Sequence, residues 1–334
     1  MLFYGHILLV CCLALLLDAI IGDPKRLWSR IPHPVVIIGK FIGLGDKLLN
    51  WNKAGPRTRK VMGVFFLLLL VALAASIGVL IQYGLEKVPY GWIGTGIIAS
   101  IFLAQNSLYR HVAAVRNALR DEGLDGGRKA VSMIVGRDTK ALDEAGISRA
   151  AIESCAENYS DGVVAPLFWL LVAGLPGLIT YKAINTADSM IGHKTPRHQS
   201  FGWASARLDD LVNLPASRIA GFLVAISAVL VPANPAKAIE GMFKDADLHR
   251  SPNAGWPEAA MAYALGLSLA GPRQYEGYHV DDTYMNVHGR REATYEDITR
   301  ALRMLFGVCV LQFIPIAIVT AFVYRSAFDA VSIF

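Results

Sequence analysis

Six apolar stretches constrain this chain more than any other feature, at about residues 3–21, 61–82, 91–106, 163–184, 211–231 and 302–324. A bilayer core of about 30 Å takes roughly 20 mostly apolar residues in helix. There, only helices and closed barrels satisfy their own backbone hydrogen bonds. Stretch 91–106 is short unless it continues into 107–119, whereas 65–75 and 306–323 are the cleanest cores. Charged residues make up 18% of the chain, against about 25% in soluble domains, and such hydrophobicity also excludes a disordered chain. The expected fold class is all-α: a polytopic integral membrane helical protein, one membrane domain over 1–334 without internal repeats. The first stretch lacks a basic n-region, and Gly22-Asp23-Pro24 is no small-residue cleavage site, so it reads as a retained helix and not a signal peptide.

Lys and Arg in the loops set the orientation, because basic loops stay cytoplasmic. Segment 22–60 carries Lys25, Arg26, Arg30, Lys40, Lys47, Lys53, Arg57, Arg59 and Lys60, and segment 107–162 carries eight more, while 83–90 has only Lys87. This puts the N-terminus outside and makes 107–162 and 232–301 cytoplasmic excursions. The net charge of +5 then follows from topology, with no need for nucleic acid. The polar stretch 185–208 has two possible placements. If 163–184 and 211–231 both span, it faces outside. If both are broken or re-entrant, it stays cytoplasmic. Pro166, Gly174, Pro176 and Gly177 in the first, with Pro215 and Arg218 in the second, favour broken helices, which are tolerated where they line a cavity and commonly bind charged ligands.

In 107–162 a helix over 107–121 ends at Glu122-Gly123, before a turn at Asp125-Gly126-Gly127. Gly136-Arg137-Asp138-Thr139 is turn-like, and Asp138-Thr139 fits a helix start. In 232–301, helices are expected at about 235–247 and at 257–269, the latter closed by Gly271-Pro272; 272–293 reads as loop. The cysteines Cys11, Cys12, Cys155 and Cys309 have no disulfide or zinc spacing.

Several polar residues stand where they are costly. Asp18 lies near the end of the first helix, close enough to an interface to reach water, and His6 lies near its start. Asp23 before a proline and His33 before another fit either a helix stop or a carboxylate and imidazole at the rim of a site. Glu153, Glu157, Asn158 and Asp161 fall three to four apart, on one helical face running into an apolar span; that face is solvated or lies at a membrane entrance. The densest cluster runs from Tyr181 and Lys182 through Asn185, Asp188, Ser189, His193, Lys194, Arg197, Trp203, Arg207, Asp209, Asp210 and Asn213 to Arg218. On a helix starting near Ser205, Asp209 and Asp210 both approach Asn213. Two carboxylates and an amide suit Mg²⁺, a hard cation with oxygen ligands, and the cations suit phosphate. The alternative is a salt-bridged loop joining two spans. A third group holds His249, Asn253, Trp256 and Glu258; Glu258 after Pro257 also fits an ordinary helix start. Gly192-His193-Lys194-Thr195 is no phosphate loop, and no dinucleotide, zinc-protease or serine-hydrolase motif is present.

Residues 22–24, 33–35, 181–194, 201–203, 206–211 and 251–258 carry Gly-Asp-Pro, His-Pro-Val, Tyr-Lys-Ala-Ile-Asn-Thr-x-Asp-Ser-Met-x-Gly-His-Lys, Phe-Gly-Trp, Ala-Arg-Leu-Asp-Asp-Leu and Ser-Pro-Asn-x-Gly-x-Pro-Glu. In this order they resemble the CobD/CbiB cobalamin biosynthesis family over nearly the whole chain. Arg197-His198 departs from the Arg-Tyr pair that the resemblance leads one to expect, which bears on a stacking contact. A weaker resemblance extends to AmpE-like membrane proteins. The family implies adenosylcobinamide-phosphate synthase, a multi-pass enzyme of the bacterial inner membrane with its site on the cytoplasmic side. That enzyme joins aminopropanol phosphate (or aminopropanol or threonine phosphate) to the free propionate carboxylate of adenosylcobyric acid, using ATP and Mg²⁺. The residues then have expected roles. Asp188, Asp209 and Asp210 hold metal, and Lys182, Lys194, Arg197, Arg207 and Arg218 hold phosphate. His193 is the base; Tyr181, Trp203 and Trp256 wall the corrin. Asn185, Ser189, Asn213, Asp23, His33, Glu157, Asn158, Asp161, Asn253 and Glu258 complete the candidate substrate contacts. Lipid and other corrinoid-pathway membrane proteins are the implied partners. A transporter, or a sensor without ligase activity, are the rival classes.

Overall fold

Helices account for most of the computed structural model, which describes residues 2–275 and 278–331. Four of them are long and apolar enough to cross a membrane: Pro56–Glu86, Glu144–Ile191, Trp203–Leu230 and Tyr295–Arg325. Two compact units divide the chain: Met1–Leu103, Ala165–Asn213 and Ile316–Phe334 form one, Ala104–Val164 and Leu214–Pro315 the other.

The first unit opens with α1 (Leu2–Ile20), α2 (Lys25–Trp28), α3 (Pro34–Leu49), α4 (Pro56–Glu86) and α5 (Gly91–Ser100). The basic segment 22–60 contains a helix, α3, that its charge pattern does not announce. Pro34 starts this helix at its first turn, where a missing N–H costs nothing, and the His33 imidazole caps it by accepting from the Val35 N–H at 3.2 Å. Stretch 91–106 does not span by itself: α5 stops at Ser100 and a turn separates it from Gln105. Asp18 does not reach water either. It is only 3% exposed, because α1 packs against α5 and α8 (Ala165–Ile191). His6 pairs with the Tyr324 hydroxyl at 2.8 Å.

α8 is broken, as its Gly and Pro content suggests. Ala173 and Gly174 leave helical geometry, Gly174 with φ +62°, a conformation glycine adopts freely. The freed Leu175 N–H is not left bare: Gln82 of α4 accepts from it at 2.9 Å. A lone glutamine in an apolar helix therefore caps the second half of a broken one. Gln82→Ala should lower stability by about 1–3 kcal/mol, the cost of an unsatisfied buried donor, measurable by denaturation in detergent. Pro215, by contrast, breaks nothing: α9 (Trp203–Ser227) passes straight through it.

Residues 175–191 run back along α4 and set the geometry of the unit. At one end lies the Gln82–Leu175 contact. At the other, Phe66 stacks on Phe201 with centroids 6.0 Å apart, and Lys60 Nζ sits 3.5 Å over the Trp203 ring. The span between them is about 25 Å at 1.5 Å per residue. Loop 192–202 thus shares the end of α4 that carries Arg57, Arg59 and Lys60, so the polar loop and basic segment 22–60 lie on the same side.

The second unit contains α6 (Gln105–Val131), α7 (Glu144–Tyr159), a π-helical turn (Ser160–Val164), the end of α9, α10 (Pro235–Asp245), α11 (Gly255–Leu265) and the start of α12 (Tyr295–Val331). α6 breaks at Gly123 as expected, but the Gly-rich residues after it are helical and form no turn. α7 begins at Glu144, capped by Asp143, whose side chain accepts from the Gly146 N–H; Asp138 instead accepts from Lys140 N–H in its own turn. α11 ends at Gly266, earlier than Gly271-Pro272 suggested. The expected loop 272–293 contains most of two small antiparallel ladders: β1 (Leu269–Ala270) with β4 (Tyr284–Met285), and β2 (Arg273–Tyr275) with β3 (Tyr278–Val280). Glu276 and Gly277 of that loop lie outside the described residues. α12 opens on one half of a capping box: the Thr294 N–H donates to the Asp297 carboxylate, which also holds Arg290 and Arg300.

Candidate functional site

Loop 192–202 joins α8 to α9 and is closed at its neck, where Gly202 lies against the Ile191 carbonyl so closely that any Cβ would collide. From α3, Asp46 accepts from Asn50 at 2.6 Å and from Arg197 Nε and Nη2 at 2.9 and 2.7 Å. His198 lies 3.5 Å from the same carboxylate. Asn50 and Arg59 both donate to the Arg197 carbonyl, and Arg59 also donates to Asn50 Oδ1 at 2.7 Å. Arg197, an expected phosphate ligand, therefore clasps the loop. Burial alone would raise the Asp46 pKa, but hydrogen bonds from Asn50 and Arg197 and the nearby positive charge outweigh it and hold the carboxyl below its ordinary range. A depressed carboxylate stabilises the fold above the ordinary pKa of about 4 and loses that contribution as pH falls through the depressed value. Asp46→Asn should therefore flatten the acid side of a melting-temperature–pH profile below about pH 5.

Beside this loop, α8 and α9 bring the densest polar residues together. Tyr181 Oη donates to Asn213 Oδ1 at 2.9 Å, and Asn213 Nδ2 donates to Asp209 Oδ2 at 3.0 Å. Asn185 Nδ2 reaches Asp209 Oδ1 at 3.3 Å. The 8% exposed Asp209 is thus held by an amide on each oxygen. Asp188, four residues before Gly192, lies within electrostatic reach of Asp209, Asp210 and His193. Asp210 turns towards Arg207 at 3.6 Å and towards Lys194. The expected convergence on Asn213 is therefore made by Asp209, not Asp210. Lys182 and Ser189 share α8 with this group, although the Ser189 hydroxyl donates to its own helix at Asn185 O.

The donor set admits one kind of magnesium site. Among the described residues no group of three or more His, Cys, Asp or Glu is disposed to hold a metal alone, so Asp188, Asp209 and Asp210 form no all-protein cage. Asp188 and Asp209 offer oxygens from two helices, and no salt bridge among the described residues closes on either. That fits Mg²⁺ bound through one or two carboxylates and completed by substrate phosphate.

Asp23 and His33 meet, at 3.4 Å, beside Trp28. Trp203 is 41% exposed under Lys60, but Tyr181 is 1% exposed and cannot wall a ligand; its hydroxyl is committed to Asn213. Glu153, Glu157, Asn158 and Asp161 do not share one environment. Glu153 is buried in an ion pair with Arg137, Glu157 and Asn158 are exposed, and Asp161 sits in the π turn, whose extra residue shifts the helical phase. In the second unit, Asn253 Oδ1 accepts from Ser217 Oγ and Arg218 Nη1, both at 3.2 Å; Arg218 also lies 4.7 Å from the Trp256 ring. Glu258 is buried 3.6 Å from His249. Asp46, Asn50, Arg59 and Gln82 escaped the sequence reading; only Gln82, a polar residue inside an apolar run, offered a signal.

A family model described as CobD/Cbib protein matches residues 11–305. A Sinorhizobium protein named cobalamin biosynthesis protein CobD is 53% identical over 309 residues, 92% of this chain and 96% of its own. Its namesake in Rhizobium meliloti is 53% identical over 308 residues, 91% of this chain and 94% of its own. That of Rhodobacter capsulatus is 50% identical over 273 residues, covering 81% and 84%. No solved structure matches. With full-length relatives at half identity and a family match across both units, the chain belongs to the CobD/CbiB family.

Proposed function

We propose that this protein works in cobalamin biosynthesis as an acid–amine ligase of the inner membrane. It joins the amine of aminopropanol phosphate to the free propionate carboxylate of adenosylcobyric acid at the expense of ATP. The observation that carries this reading is the Asp188–Asp209 pair, set against His193, Lys194 and Arg207 in the stretch that bears the most specific family motif. Relatives named for cobalamin biosynthesis support it.

A carboxylate does not condense with an amine in water unless its oxygen becomes a leaving group. The propionate oxygen attacks the γ-phosphorus of ATP, the bond to ADP breaks, and an acyl phosphate forms. The neutral amine then attacks the acyl carbon, phosphate leaves, and the amine proton passes to the His193 imidazole, a side chain able to take and give up a proton. Lys194 and Arg207 gather the transferring phosphoryl charge, which is normally the largest catalytic contribution. Asp188 and Asp209 would hold Mg²⁺, which when bound neutralises phosphate oxygens. The exposed Trp203, the first residue of α9, gives the corrin a surface next to this loop. Because basic loops stay cytoplasmic, loop 192–202 would face the compartment that holds ATP.

The test is product formation by the detergent-purified chain alone, given adenosylcobyric acid, aminopropanol phosphate, ATP and Mg²⁺. Amide from wild type, and none from Lys194→Ala, is the expected result. A folded wild-type chain that makes no amide from verified substrates would overturn the reading and bring a transporter or sensor forward.

A further inference from the structure

A second basic site lies at the same end of α4, outside the carboxylate cluster. The last turn of α3, the turn after it and loop 192–202 border an open, shallow cavity of about 650 Å³, lined by Lys47, Asn50, Trp51, Asn52, Lys53 and Arg197. Residues 47–60 carry five cations and no acid. Arg59 and Lys60 are engaged by Asn50 and Trp203, whereas Lys47, Lys53 and Arg57 have no ion pair among the described residues. Trp51 is 54% exposed beside these lysines. The flanking helix faces are bare and apolar: Leu44 and Leu48 on α3, with Val61 and Phe65 on α4, are all at least half exposed. Leu44 and Leu48 follow at i and i+4 on α3, and Trp51 lies just beyond its end.

A free phosphate or nucleotide would use the cations but not these apolar faces, while acyl chains alone would have no use for the lysines. One ligand uses both. We propose that this cavity binds the phosphodiester headgroup of an anionic phospholipid, with its chains along the exposed faces of α3 and α4. Clustered cations next to a spanning helix are the usual device for holding such lipids, and an interfacial tryptophan is their common companion. The proposal does not depend on the ligase reading.

The full-length chain in detergent, titrated with brominated phosphatidylglycerol or brominated phosphatidylcholine, tests it through quenching of the Trp51 emission, taken as wild type minus Trp51→Phe. Phosphatidylglycerol should quench that signal more strongly than phosphatidylcholine. The Lys47→Gln/Lys53→Gln variant should lose about thirtyfold in apparent affinity for phosphatidylglycerol, with its melting temperature in lipid-free detergent unchanged. Equal quenching by both lipids, or undiminished affinity in the double variant, would overturn the assignment. Relief of quenching by millimolar ATP or inorganic phosphate would overturn it in favour of a free-phosphate site.

Discussion

Asp188→Asn should lower amide formation by about 10²–10³-fold, the usual cost of removing one electrostatic group aimed at a reacting centre, and should leave the protein folded. The substitution keeps the shape of the side chain and removes only its charge. Asp188 faces the like-charged Asp209 and Asp210, so easing their repulsion should hold or raise the melting temperature. Asp209→Asn should behave differently. Asp209 accepts from amides of both Asn185 and Asn213, and a neutral amide must turn its own N–H₂ towards one of them. Activity and stability should then fall together. Product assays run beside thermal melts separate the two. Asp188→Asn retaining activity within a few-fold of wild type would remove this cluster from the reaction.

The largest loss of stability is expected from Arg137→Ala, at about 3–5 kcal/mol, because one member of a buried ion pair is left alone. Arg137 Nη2 donates to Glu153 at 2.8 Å, with side chains 11% and 7% exposed, and the other Glu153 oxygen accepts from the Ala270 N–H at 2.9 Å. This carboxylate ties α7 to the turn before it and to β1. Removing both partners, as in Arg137→Met with Glu153→Leu, should cost less than the single change, since no buried charge is stranded. Denaturation in detergent measures both, and a single variant as stable as wild type would show that the pair contributes nothing.

The sequence made the helical architecture legible because apolar runs of spanning length leave few alternatives. The Asp209–Asn213 pair was legible too, since i,i+4 spacing places both on one side of α9. What escaped is the partnering between distant segments. Nothing near Asp46 says that it will face Arg197, 151 residues away in sequence, and Arg137 stands in a stretch that reads as an ordinary turn. Proline was the least reliable guide: with Gly174 it marks a real break in α8, yet Pro215 sits inside an unbroken α9. The π turn is invisible to any fixed helical period, and spacing alone does not tell that Glu153 is buried while Glu157, one turn on in the same helix, is exposed.

The shared end of α4 means that insertion decides the fate of the chemistry. The cations before α4 are what a translocation machinery reads, and loop 192–202 inherits whatever compartment they choose. Neutralising them would leave each side chain of the cluster intact while risking its delivery to the wrong side of the bilayer. Activity would then be lost by address and not by reactivity, a failure recoverable in permeabilised cells but not in intact ones.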